Sequence, residues 1–387
     1  MNVEIIGWGH TRFGKSSLGI EELIVEVANA ALEHASTPAA EIDEIVLGHF
    51  NAGFTAQDFT AALVLQADPS LRFRPATRVE NACASGAAAV HMGIRAIQSG
   101  HARKVLVVGA EHMSATARNE VGRNLLRAAY LREEGDTEGG FAGLFGRVAD
   151  TYFRRHGDKS DALAAIAAKN HRNGADNPLA HIRNDLGVDF CRTVGPDNPL
   201  VAGPLRRTDC SPVSDGAAAL ILSSDTHHRA PRAVRVAATA HAQDFFPASR
   251  RDPLLMEGCR EAWSIALAAA GWQMRDLSFV ETHDCFTIAE LLQYEAMGLA
   301  PYGRGSDVVS SGLAEPDGKL PINRSGGLKA KGHPIGATGV SMHVMAAMQL
   351  TGEAPASLQL ARADRAGIFN MGGLGVANYV SLLEARK

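Results

Sequence analysis

Short apolar runs alternate with stretches of helical periodicity in the first half of the chain. The apolar runs predict strands at residues 3–7, 44–48, 76–80, 104–109 and 217–222. Apolar positions three and four residues apart predict helices at residues 20–32, 54–66 and 83–99. Strands that alternate with helices in this way are typical of a parallel or mixed sheet covered by helices.

The second half repeats this order of elements. It predicts strands at residues 233–238, 277–283, 320–323, 367–370 and 377–383. The predicted helices are residues 254–270, 286–297 and 333–351, and a glycine follows each of them. Because the residues themselves are only weakly similar between the halves, the order of elements is what indicates an internal duplication. We therefore expect two α/β halves, residues 1–225 and 226–387.

A long segment at residues 111–209 interrupts the first half and lacks a regular pattern. It is rich in Arg, Gly, Asn and Pro, and a short helix is predicted at residues 163–170 with Ser160 as its N-cap. An insertion of this length inside a compact domain is usually a lid or a binding loop. Its cationic residues could meet a phosphorylated ligand, although a solvated polar surface explains them equally well. They include Arg154, Arg155, Lys169, Arg172, Arg206 and Arg207.

Composition and charge narrow the function classes. Of the 387 residues, 46% are hydrophobic and 21% are charged, and the net charge of −4 disfavours nucleic acid as a partner. No apolar stretch approaches the roughly 18 residues that span a bilayer, so we expect no membrane partner, and the first residues lack a signal-peptide pattern. The cysteines are odd in number and form no C-x-x-C pair, so we expect neither a disulfide framework nor a metal site. A cytoplasmic location fits these features best.

The sequence NACASGAAA at residues 81–89 lies where a predicted strand turns into a predicted helix. Cys83 would therefore lie at a helix N-terminus, where unpaired N–H groups and the positive end of the helix dipole favour a thiolate. The same N–H groups could stabilise a developing oxyanion, which makes Cys83 a candidate nucleophile. The alternative is a small buried hydrophobic residue in an alanine-rich helix.

The sequence SGGLKAKGHPIGATG at residues 325–339 places His333 at the start of the third helix of the second half. Cys83 begins the equivalent helix of the first half. If the halves pack about a pseudo-twofold axis, both helix starts face one site, and an imidazole beside a thiol can act as its general base. A solitary histidine on the surface or in the core is the alternative.

Two shorter motifs follow predicted strands. In HDCF at residues 283–286, His283 could donate to a thioester oxygen and Cys285 could transfer a proton, because strand ends point into the clefts of α/β sheets. In NMGGLG at residues 370–375, the glycines allow a tight turn whose backbone N–H could point at a ligand. No helix follows these glycines, so they are not a dinucleotide fingerprint. Each motif taken alone is more often structural.

Residues 9–16, GHTRFGKS, match the phosphate-loop pattern of nucleotide hydrolases and follow a predicted strand. A phosphate loop needs a helix that opens at its Lys-Ser pair, here Lys15 and Ser16. Gly19 interrupts this segment, and the helical pattern begins near Ile20. The sequence also lacks an apolar strand that ends in a magnesium-binding Asp, so we do not favour a nucleotide hydrolase.

Taken together, NACASG, HDCF and SGGLKAKGHPIGATG resemble the thiolase superfamily, and most closely its sterol-carrier-protein type, over almost the whole chain. The resemblance implies a thiolase-like α/β fold of five layers, α-β-α-β-α, in which two pseudo-twofold-related halves carry residues 111–209 as an inserted loop domain. It implies thiolysis of a 3-ketoacyl-CoA, or the reverse Claisen condensation, with coenzyme A as substrate or product and no permanently bound cofactor. A homodimer or homotetramer is implied, and some relatives work with a small partner protein.

The resemblance also assigns roles to residues. Cys83 would accept the acyl group, and His333 would take the Cys83 proton and then help hold the thioester oxygen. His283 would complete this first oxyanion hole. The N–H groups of Cys83 and Gly372 would form a second hole around the acyl-enzyme oxygen.

One departure changes the assignment of the second acid/base group. Ordinary thiolases carry a second catalytic cysteine in a C-x-G motif, and that position is Asn370 here. The resemblance to the sterol-carrier-protein type moves this task to Cys285. The candidates for substrate binding are Ser211, Arg172 and Lys169.

Two alternatives within the same fold stay open. A ketoacyl synthase shares the fold and a Cys-His-His site, but its substrates are attached to a carrier protein, and the GHP and HDCF sequences favour a thiolase. The other alternative is a non-catalytic or lyase-like subunit that needs a partner protein.

Overall fold

A computed structural model of the chain describes residues 2–224 and 233–386. Its strands are β1 (Glu4–His10), β2 (Glu44–Gly48), β3 (Ala76–Val79), β4 (Lys104–Glu111), β5 (Leu200–Ala202), β6 (Leu205–Arg206), β7 (Gly216–Ser223), β8 (Val234–Gln243), β9 (Phe279–Glu281), β10 (Arg365–Gly372) and β11 (Ala377–Ala385). Its α-helices are α1 (Ile20–His34), α2 (Ser85–Gln98), α3 (Arg118–Leu126), α4 (Leu131–Glu134), α5 (Gly140–His156), α6 (Ser160–Ala175), α7 (Gly187–Arg192), α8 (Glu257–Ala270), α9 (Thr287–Ala296), α10 (Ser306–Ser310), α11 (Gly327–Ala330) and α12 (Ile335–Thr351).

The central sheet repeats one strand arrangement twice. Its order is β3-β2-β4-β7-β1, followed by β8-β11-β10-β9. In the first group β2 is parallel to β3 and β4, and β7 is antiparallel to β4 and β1. In the second group β9 is parallel to β10, and β11 is antiparallel to β10 and β8. This shared order and direction is the duplication that the sequence predicts, while the boundary predicted between residues 225 and 226 lies outside the described residues.

The two groups of strands are joined side by side, since β1 pairs with β8 through Glu4 with Arg235 and Ile5 with Val234. The strands of the two halves therefore form one continuous hydrogen-bonded sheet. Helices α2 and α12 pack against each other between the two groups, and α12 contacts β4 and β7 as well as β10 and β11. Helix α1 covers the first group and α8 the second on their other faces. The five layers are α1, the first group of strands, α2 with α12, the second group of strands, and α8. The predicted α-β-α-β-α fold class is confirmed.

Alternation along each strand decides which helix its two faces meet. In β4, Leu106 and Val108 belong to the hydrophobic core under α1, whereas Gly109 lies against α12. In β11, Tyr379 packs with alanines of α2, and Asn378 contacts α8. Because α12 lies between the two groups of strands, it is buried along almost its whole length.

One predicted helix has a different form in the structure. The segment predicted as a helix at residues 54–66 is a 3-10 helix at Thr60–Ala67. Phe59 has a left-handed backbone (φ 60°), which ends any helix that approaches from the N-terminal side. The carboxylate of Asp58 is held by side-chain hydrogen bonds from the preceding loop and from β3, so tertiary contacts override the helical pattern here.

Two further predictions are corrected by local backbone geometry. The strand predicted at residues 320–323 is reduced to a single bridge between Ile322 and Val280, because Asn323 has a left-handed backbone (φ 58°). The helix predicted at residues 163–170 is the longer α6, whose N-cap is Lys159. Ser160, the predicted N-cap, is the first residue of α6, and its N–H donates to the carboxylate of Asp158 at 2.8 Å. The segment 111–209 thus contains the five helices α3 to α7, although its glycines and arginines obscure the helical periodicity of its apolar residues.

The phosphate-loop alternative is wrong for residues 9–16. Gly9 lies inside β1, and Lys15 and Ser16 precede α1 without forming a helix. The N–H of Ser16 donates to the carboxylate of Asp215 at 2.9 Å, so an anion of the protein occupies the donor that a phosphate would need. Separately, no helix within the described ranges is long and apolar enough to cross a bilayer.

Candidate active site

The N-terminal ends of α2 and α12 lie side by side because the two helix backbones touch. A Cβ atom at Gly86 would lie 2.7 Å from a backbone oxygen of α12, and one at Gly339 would lie 2.1 Å from the nitrogen of Ala87. No side chain fits at either position, so glycine is what permits this crossing. The crossing brings Cys83 and His333, which directly precede the two helices, to one place.

A buried carboxylate holds the start of α12 in position. Glu111 Oε2 accepts the N–H of Gly336 at 3.0 Å and that of Phe50 at 3.1 Å. A carboxylate at a helix N-terminus is favourable because the first N–H groups are unpaired and carry the positive end of the dipole. Sequence reasoning missed this role of Glu111, although a glutamate that ends an apolar strand could have suggested it.

Cys83 lies in a tight turn that precedes α2, and the prediction that it begins the helix is corrected. Helix α2 starts at Ser85, with Ala84 as its N-cap. The N–H of Asn81 donates to the Ser85 hydroxyl at 2.8 Å, and that hydroxyl donates to the carbonyl of Ala82 at 2.7 Å. These bonds close the turn around Cys83 and hold its side chain toward α12.

Side chains from three separate motifs meet at this point. The sulfur of Cys83, one ring nitrogen of His283 and one ring nitrogen of His333 lie within 4.8 Å of one another. All three residues are buried. The two imidazoles meet edge to face, with ring centroids 5.2 Å apart and planes at 88°. A thiol with two imidazoles can bind zinc, and the same set also suits acyl transfer through cysteine.

The hydrogen bonds of His333 show which of its nitrogens is free. Its Nδ1 lies 2.7 Å from the hydroxyl oxygen of Thr338. That hydroxyl donates its own hydrogen to the carbonyl of Pro334 at 2.9 Å, so its oxygen accepts the Nδ1–H. Nε2 of His333 then carries a lone pair, and it has no hydrogen-bond partner among the described residues. This is the form that a general base requires.

Asn370 connects the nucleophile with the second imidazole. Its side-chain nitrogen lies 3.2 Å from the carbonyl oxygen of Cys83 and 2.8 Å from Nδ1 of His283. Sequence reasoning treated Asn370 only as the position where other thiolases carry a cysteine. A polar residue at a buried strand position next to a glycine turn was the signal that could have identified it.

Burial keeps the nucleophile and its base uncharged. It raises the pKa of the Cys83 thiol to about 12, an effect that the nearby N–H of Gly373 opposes and the carboxylate of Glu111 increases. Burial, followed by the ammonium of Lys331, lowers the pKa of His333 to about 3. At Cys83 desolvation therefore outweighs the helix dipole, which by itself favours a thiolate.

Cys285 lies beside this group on the turn that precedes α9. Its carbonyl accepts the N–H of the half-buried Ser211 at 2.9 Å, which places this substrate-binding candidate at the site. The next residue, Phe286, stacks on Phe145 with centroids 4.4 Å apart. Burial raises the pKa of Cys285, and the nearby Cys83 adds to the effect. Cys285 is therefore a thiol that can donate a proton.

The glycine turn after β10 closes the site on the side of Cys83. A Cβ atom at Gly372 would lie 2.3 Å from the carbonyl oxygen of Asn81, so the turn approaches the nucleophile more closely than any side chain would allow. Gly373 follows with a left-handed backbone (φ 61°), and its N–H faces the Cys83 thiol. The sequence predicts a backbone N–H of this turn that points at a ligand, but the resemblance assigns the oxyanion-hole role to Gly372 and none to Gly373.

The two cationic candidates for substrate binding lie in different environments. Lys169 is buried, and its ammonium donates to Glu290 and to the carbonyl of Ile322, both at 2.7 Å. The prediction that Lys169 contacts substrate is therefore corrected, since its charge is neutralised inside the core. Arg172 is exposed and forms an ion pair with Glu315 on the surface. The geometry around Arg172 does not connect it to Cys83.

A buried polar network that the sequence did not reveal supports the HDCF turn. Asp284 accepts the N–H of Leu328 at 2.6 Å and the side-chain N–H of Asn170 at 2.7 Å. The same Asn170 nitrogen lies 2.6 Å from Glu290 Oε2. Burial and the neighbouring Glu290 raise the pKa of Asp284 to about 7. These bonds tie the turn that carries His283 to the loop that carries His333.

Two descriptions of known protein families match the chain. The family description "Thiolase, N-terminal domain" matches residues 3–191, and "Thiolase C-terminal domain-like" matches residues 239–385. The chain belongs to the thiolase family. The acetyl-CoA acetyltransferase of Methanothermobacter thermautotrophicus is 34% identical to this thiolase over 97% of both chains. Sterol carrier protein 2 of Oryctolagus cuniculus is 30% identical, over 99% of this chain and 72% of the relative.

Solved structures share the fold of this thiolase at lower sequence identity. An Ltp2–ChsH2(DUF35) aldolase superposes with a TM-score of 0.80 and 21% identity, covering 99% of this chain and 98% of the other. The acetyl-CoA acetyltransferase from Syntrophomonas wolfei gives a TM-score of 0.73 and 19% identity, covering 100% and 99%. The resemblance to sterol-carrier-protein-type thiolases that the motifs indicate is confirmed by the named relatives.

Proposed function

We propose that this thiolase transfers acyl groups between coenzyme A thioesters through an acyl group on Cys83. The reaction is thiolysis of a 3-ketoacyl-CoA by free coenzyme A, or the reverse Claisen condensation. The observation that carries the proposal is the meeting of Cys83, His283 and His333 at the crossing of α2 and α12. Relatives named acetyl-CoA acetyltransferase support it. Coenzyme A would act as substrate and product, with no permanently bound cofactor.

The first step follows from the neutral state of the two reacting groups. As the Cys83 sulfur attacks the keto carbon of the substrate, Nε2 of His333 takes the thiol proton. The proton transfer and the attack belong together, because burial makes a free thiolate unfavourable. His333 then carries a hydrogen on Nε2 and becomes a donor for a thioester oxygen.

Hydrogen-bond donors around the nucleophile stabilise the oxyanions. We assign His283 and His333 to the hole for the thioester oxygen, and the N–H groups of Cys83 and Gly372 to the hole around the acyl-enzyme oxygen. The close approach of Gly372 to the Cys83 turn supports the second assignment. Loss of one such donor typically lowers the rate about a hundredfold or more.

Cys285 completes the proton balance. Collapse of the tetrahedral intermediate breaks the carbon–carbon bond and releases the enolate of acetyl-CoA, which takes a proton from the Cys285 thiol. The thiol of coenzyme A then attacks the acyl group on Cys83, and its proton returns to Cys285. The bond between the acyl carbon and the Cys83 sulfur breaks, and the sulfur takes back the proton held on Nε2 of His333. Burial favours the thiol form of Cys285, which is the form that the enolate needs.

Mass spectrometry after incubation with acetoacetyl-CoA tests the proposal. The unmodified protein should gain an acetyl group on the peptide that contains Cys83, and Cys83→Ala should not. Cys259→Ala is the matched control, because Cys259 is a buried cysteine of α8 away from the site. An acetyl adduct that persists at full level in Cys83→Ala would overturn the assignment of the nucleophile.

The oligomeric state and the cellular location are part of the same proposal. Strand β3 is at one edge of the central sheet, with β2 as its single neighbour in the described part of the chain, and an edge strand of this kind can pair with a second copy. We propose a homodimer or homotetramer that is located in the cytoplasm. Sedimentation analysis of the purified protein tests the oligomeric state, and fractionation of cells tests the location. A monomer at micromolar concentration would contradict it.

A lyase that works with a small partner protein is the second candidate. One solved structure with this fold is described as an Ltp2–ChsH2(DUF35) aldolase. The two candidates differ in one measurable property, which is acyl transfer from acetoacetyl-CoA to coenzyme A by the isolated chain. Turnover without any partner supports the acyltransferase, and acylation without turnover supports the partner-dependent lyase.

A further inference from the structure

The side-chain amide of Asn370 contacts one of the two histidines of the site. Asn370 lies in β10, completely buried, and its side-chain nitrogen contacts two atoms of the site. These atoms are the carbonyl oxygen of Cys83 at 3.2 Å and Nδ1 of His283 at 2.8 Å. Neither contact involves an atom at which a bond forms or breaks in the proposed reaction.

The number of hydrogens on each group fixes the direction of the two hydrogen bonds of Asn370. A backbone carbonyl can only accept, so the NH₂ group of Asn370, and not its oxygen, faces Cys83. That NH₂ group has two hydrogens, and the second is available for Nδ1 of His283. The ring nitrogen must therefore accept, and in a neutral imidazole the hydrogen is then on the other nitrogen, Nε2.

A turned amide would place the side-chain oxygen of Asn370 against the carbonyl oxygen of Cys83, and this repulsion favours the described orientation. A Cβ atom at Gly339 would lie 2.5 Å from the side-chain oxygen of Asn370, so this oxygen already lies against the backbone of α12. It has no hydrogen-bond partner in the described ranges, which leaves the nitrogen to make both bonds. The glycine that permits the crossing of the helices thus also makes room for the Asn370 amide in this orientation.

We propose that Asn370 is a positioning residue that holds His283 as the Nε2–H tautomer, so that this imidazole donates to the thioester oxygen. The proposal rests on the proposed acyl transfer and adds the group that prepares its oxyanion hole. His333 is held in the opposite tautomer, with its lone pair on Nε2. One imidazole is therefore a donor and the other an acceptor before substrate arrives.

The opposite tautomers of His283 and His333 are important because the two rings are neighbours with the same chemistry. Their centroids are 5.2 Å apart, and burial lowers the pKa of both, so neither is charged near neutral pH. A neutral imidazole has one hydrogen, and its position decides whether the ring can donate into the site. Without Asn370, His283 could place its hydrogen on Nδ1 and present a lone pair to the substrate oxygen.

The test is ¹⁵N nuclear magnetic resonance of the histidine rings in the full chain. The signals of His283 are assigned by their loss in His283→Asn. In the unmodified protein we expect a protonated Nε2 and an unprotonated Nδ1. In Asn370→Leu, which removes the donor, we expect a shift of the hydrogen toward Nδ1 and a fall in kcat of about tenfold to a hundredfold with a smaller change in KM.

A second variant covers the case in which Asn370→Leu does not fold. Asn370→Asp keeps the shape of the side chain but presents a carboxylate oxygen to Nδ1, so Nδ1 should acquire a proton in that variant. Asn378→Leu is the matched control, because Asn378 is another buried asparagine of the neighbouring strand whose amide donates to backbone carbonyls. It should affect stability and leave the tautomer of His283 unchanged.

Two outcomes would overturn the role of Asn370. The first is a hydrogen on Nδ1 of His283 in the unmodified protein, and the second is an unchanged ring in both variants of Asn370. These results are independent of acyl transfer, because the ring signals are read without substrate. A normal tautomer pattern in a protein that forms no acyl group on Cys83 would instead refute the proposed function alone.

Discussion

Thr338 and His333 share a hydrogen bond of 2.7 Å that leaves Nε2 of the histidine free for the nucleophile. The threonine lies one helical turn into α12, and its hydroxyl also donates to the carbonyl of Pro334. The bond therefore has a fixed direction, from the ring to the hydroxyl oxygen. The start of one helix supplies both the base and the group that orients it.

Removal of that hydroxyl should weaken the base. In Thr338→Val the ring of His333 loses the acceptor for its Nδ1–H, and we expect acylation of Cys83 by acetoacetyl-CoA to slow about tenfold or more. Thr338→Ser keeps the hydroxyl and should restore most of the rate. Rapid-quench mass spectrometry measures the step, and equal rates in the two variants would contradict this role of Thr338.

The reactivity of Cys83 toward a neutral alkylating reagent should depend steeply on pH. Because burial raises the pKa of its thiol to about 12, the thiolate is scarce near neutral pH and increases about tenfold per pH unit. The rate of modification by iodoacetamide, followed on the Cys83 peptide, should still be rising at pH 9. A free peptide of sequence NACASG should level off near its ordinary pKa of about 8.5. A plateau near pH 8 in the protein would show a preformed thiolate.

The crossing of the two central helices should not tolerate a methyl group. In Gly339→Ala the new Cβ would meet both the nitrogen of Ala87 and the side chain of Asn370, and we expect the free energy of unfolding to fall by about 2–3 kcal/mol. Gly122 of α3 has open space around it, so Gly122→Ala should instead stabilise the protein by about 0.5–1 kcal/mol. Urea unfolding followed by circular dichroism measures both, and a neutral Gly339→Ala would contradict the described helix contact.

Lys169 and Arg172, one turn apart on α6, should differ strongly in their effect on stability. Lys169→Met leaves the buried carboxylate of Glu290 without its cation, and we expect a loss of about 3–5 kcal/mol. Arg172→Ala breaks an exposed ion pair and should change stability by less than about 1 kcal/mol. Thermal unfolding compares them. An unchanged melting temperature in Lys169→Met would return this residue to the candidates for substrate binding.

Cys285→Ala should separate acylation from carbon–carbon bond cleavage. Acetyl-CoA can acylate Cys83 with coenzyme A as the leaving group. A thiolate leaves without a proton donor far more readily than an enolate does, so the acetyl adduct should still form, at a moderately lower rate. Thiolysis of acetoacetyl-CoA needs the proton of Cys285 and should slow about a hundredfold or more. Steady-state assays and mass spectrometry measure the two steps, and full thiolysis in the variant would move the second acid/base group to another residue.

Much of the fold could be predicted from the sequence because the strand and helix periods are clear in both halves. Except at residues 320–323, a strand lies within or across each segment where the pattern predicts one, and the glycines that end α8 and α12 also lie where they are predicted. The segment 54–66 could not be predicted correctly, since long-range hydrogen bonds to Asp58 decide its conformation. The pairing of β1 with β8, which makes one sheet of the two halves, has no signal in the local pattern either.

For the site, sequence reasoning could name the reacting groups but not their ionisation or their support. Cys83, His283 and His333 stand out because their motifs are unusual and resemble a known family. The protonation state of Cys83 depends on how much solvent the folded chain removes, which no spacing of residues reveals. The roles of Asn370 and Thr338 depend on hydrogen-bond directions between residues that are distant in sequence or hidden in an ordinary helix.

The contact of α2 with α12 has a consequence for synthesis of the chain. A ribosome completes the segment that carries Cys83 long before it reaches the codon for His333, so the emerging polypeptide holds its nucleophile without a base. Until α12 docks, Cys83 lacks the imidazole of His333, which takes its proton during attack on a thioester. A competent site therefore requires that the last quarter of the translated chain pack against the first.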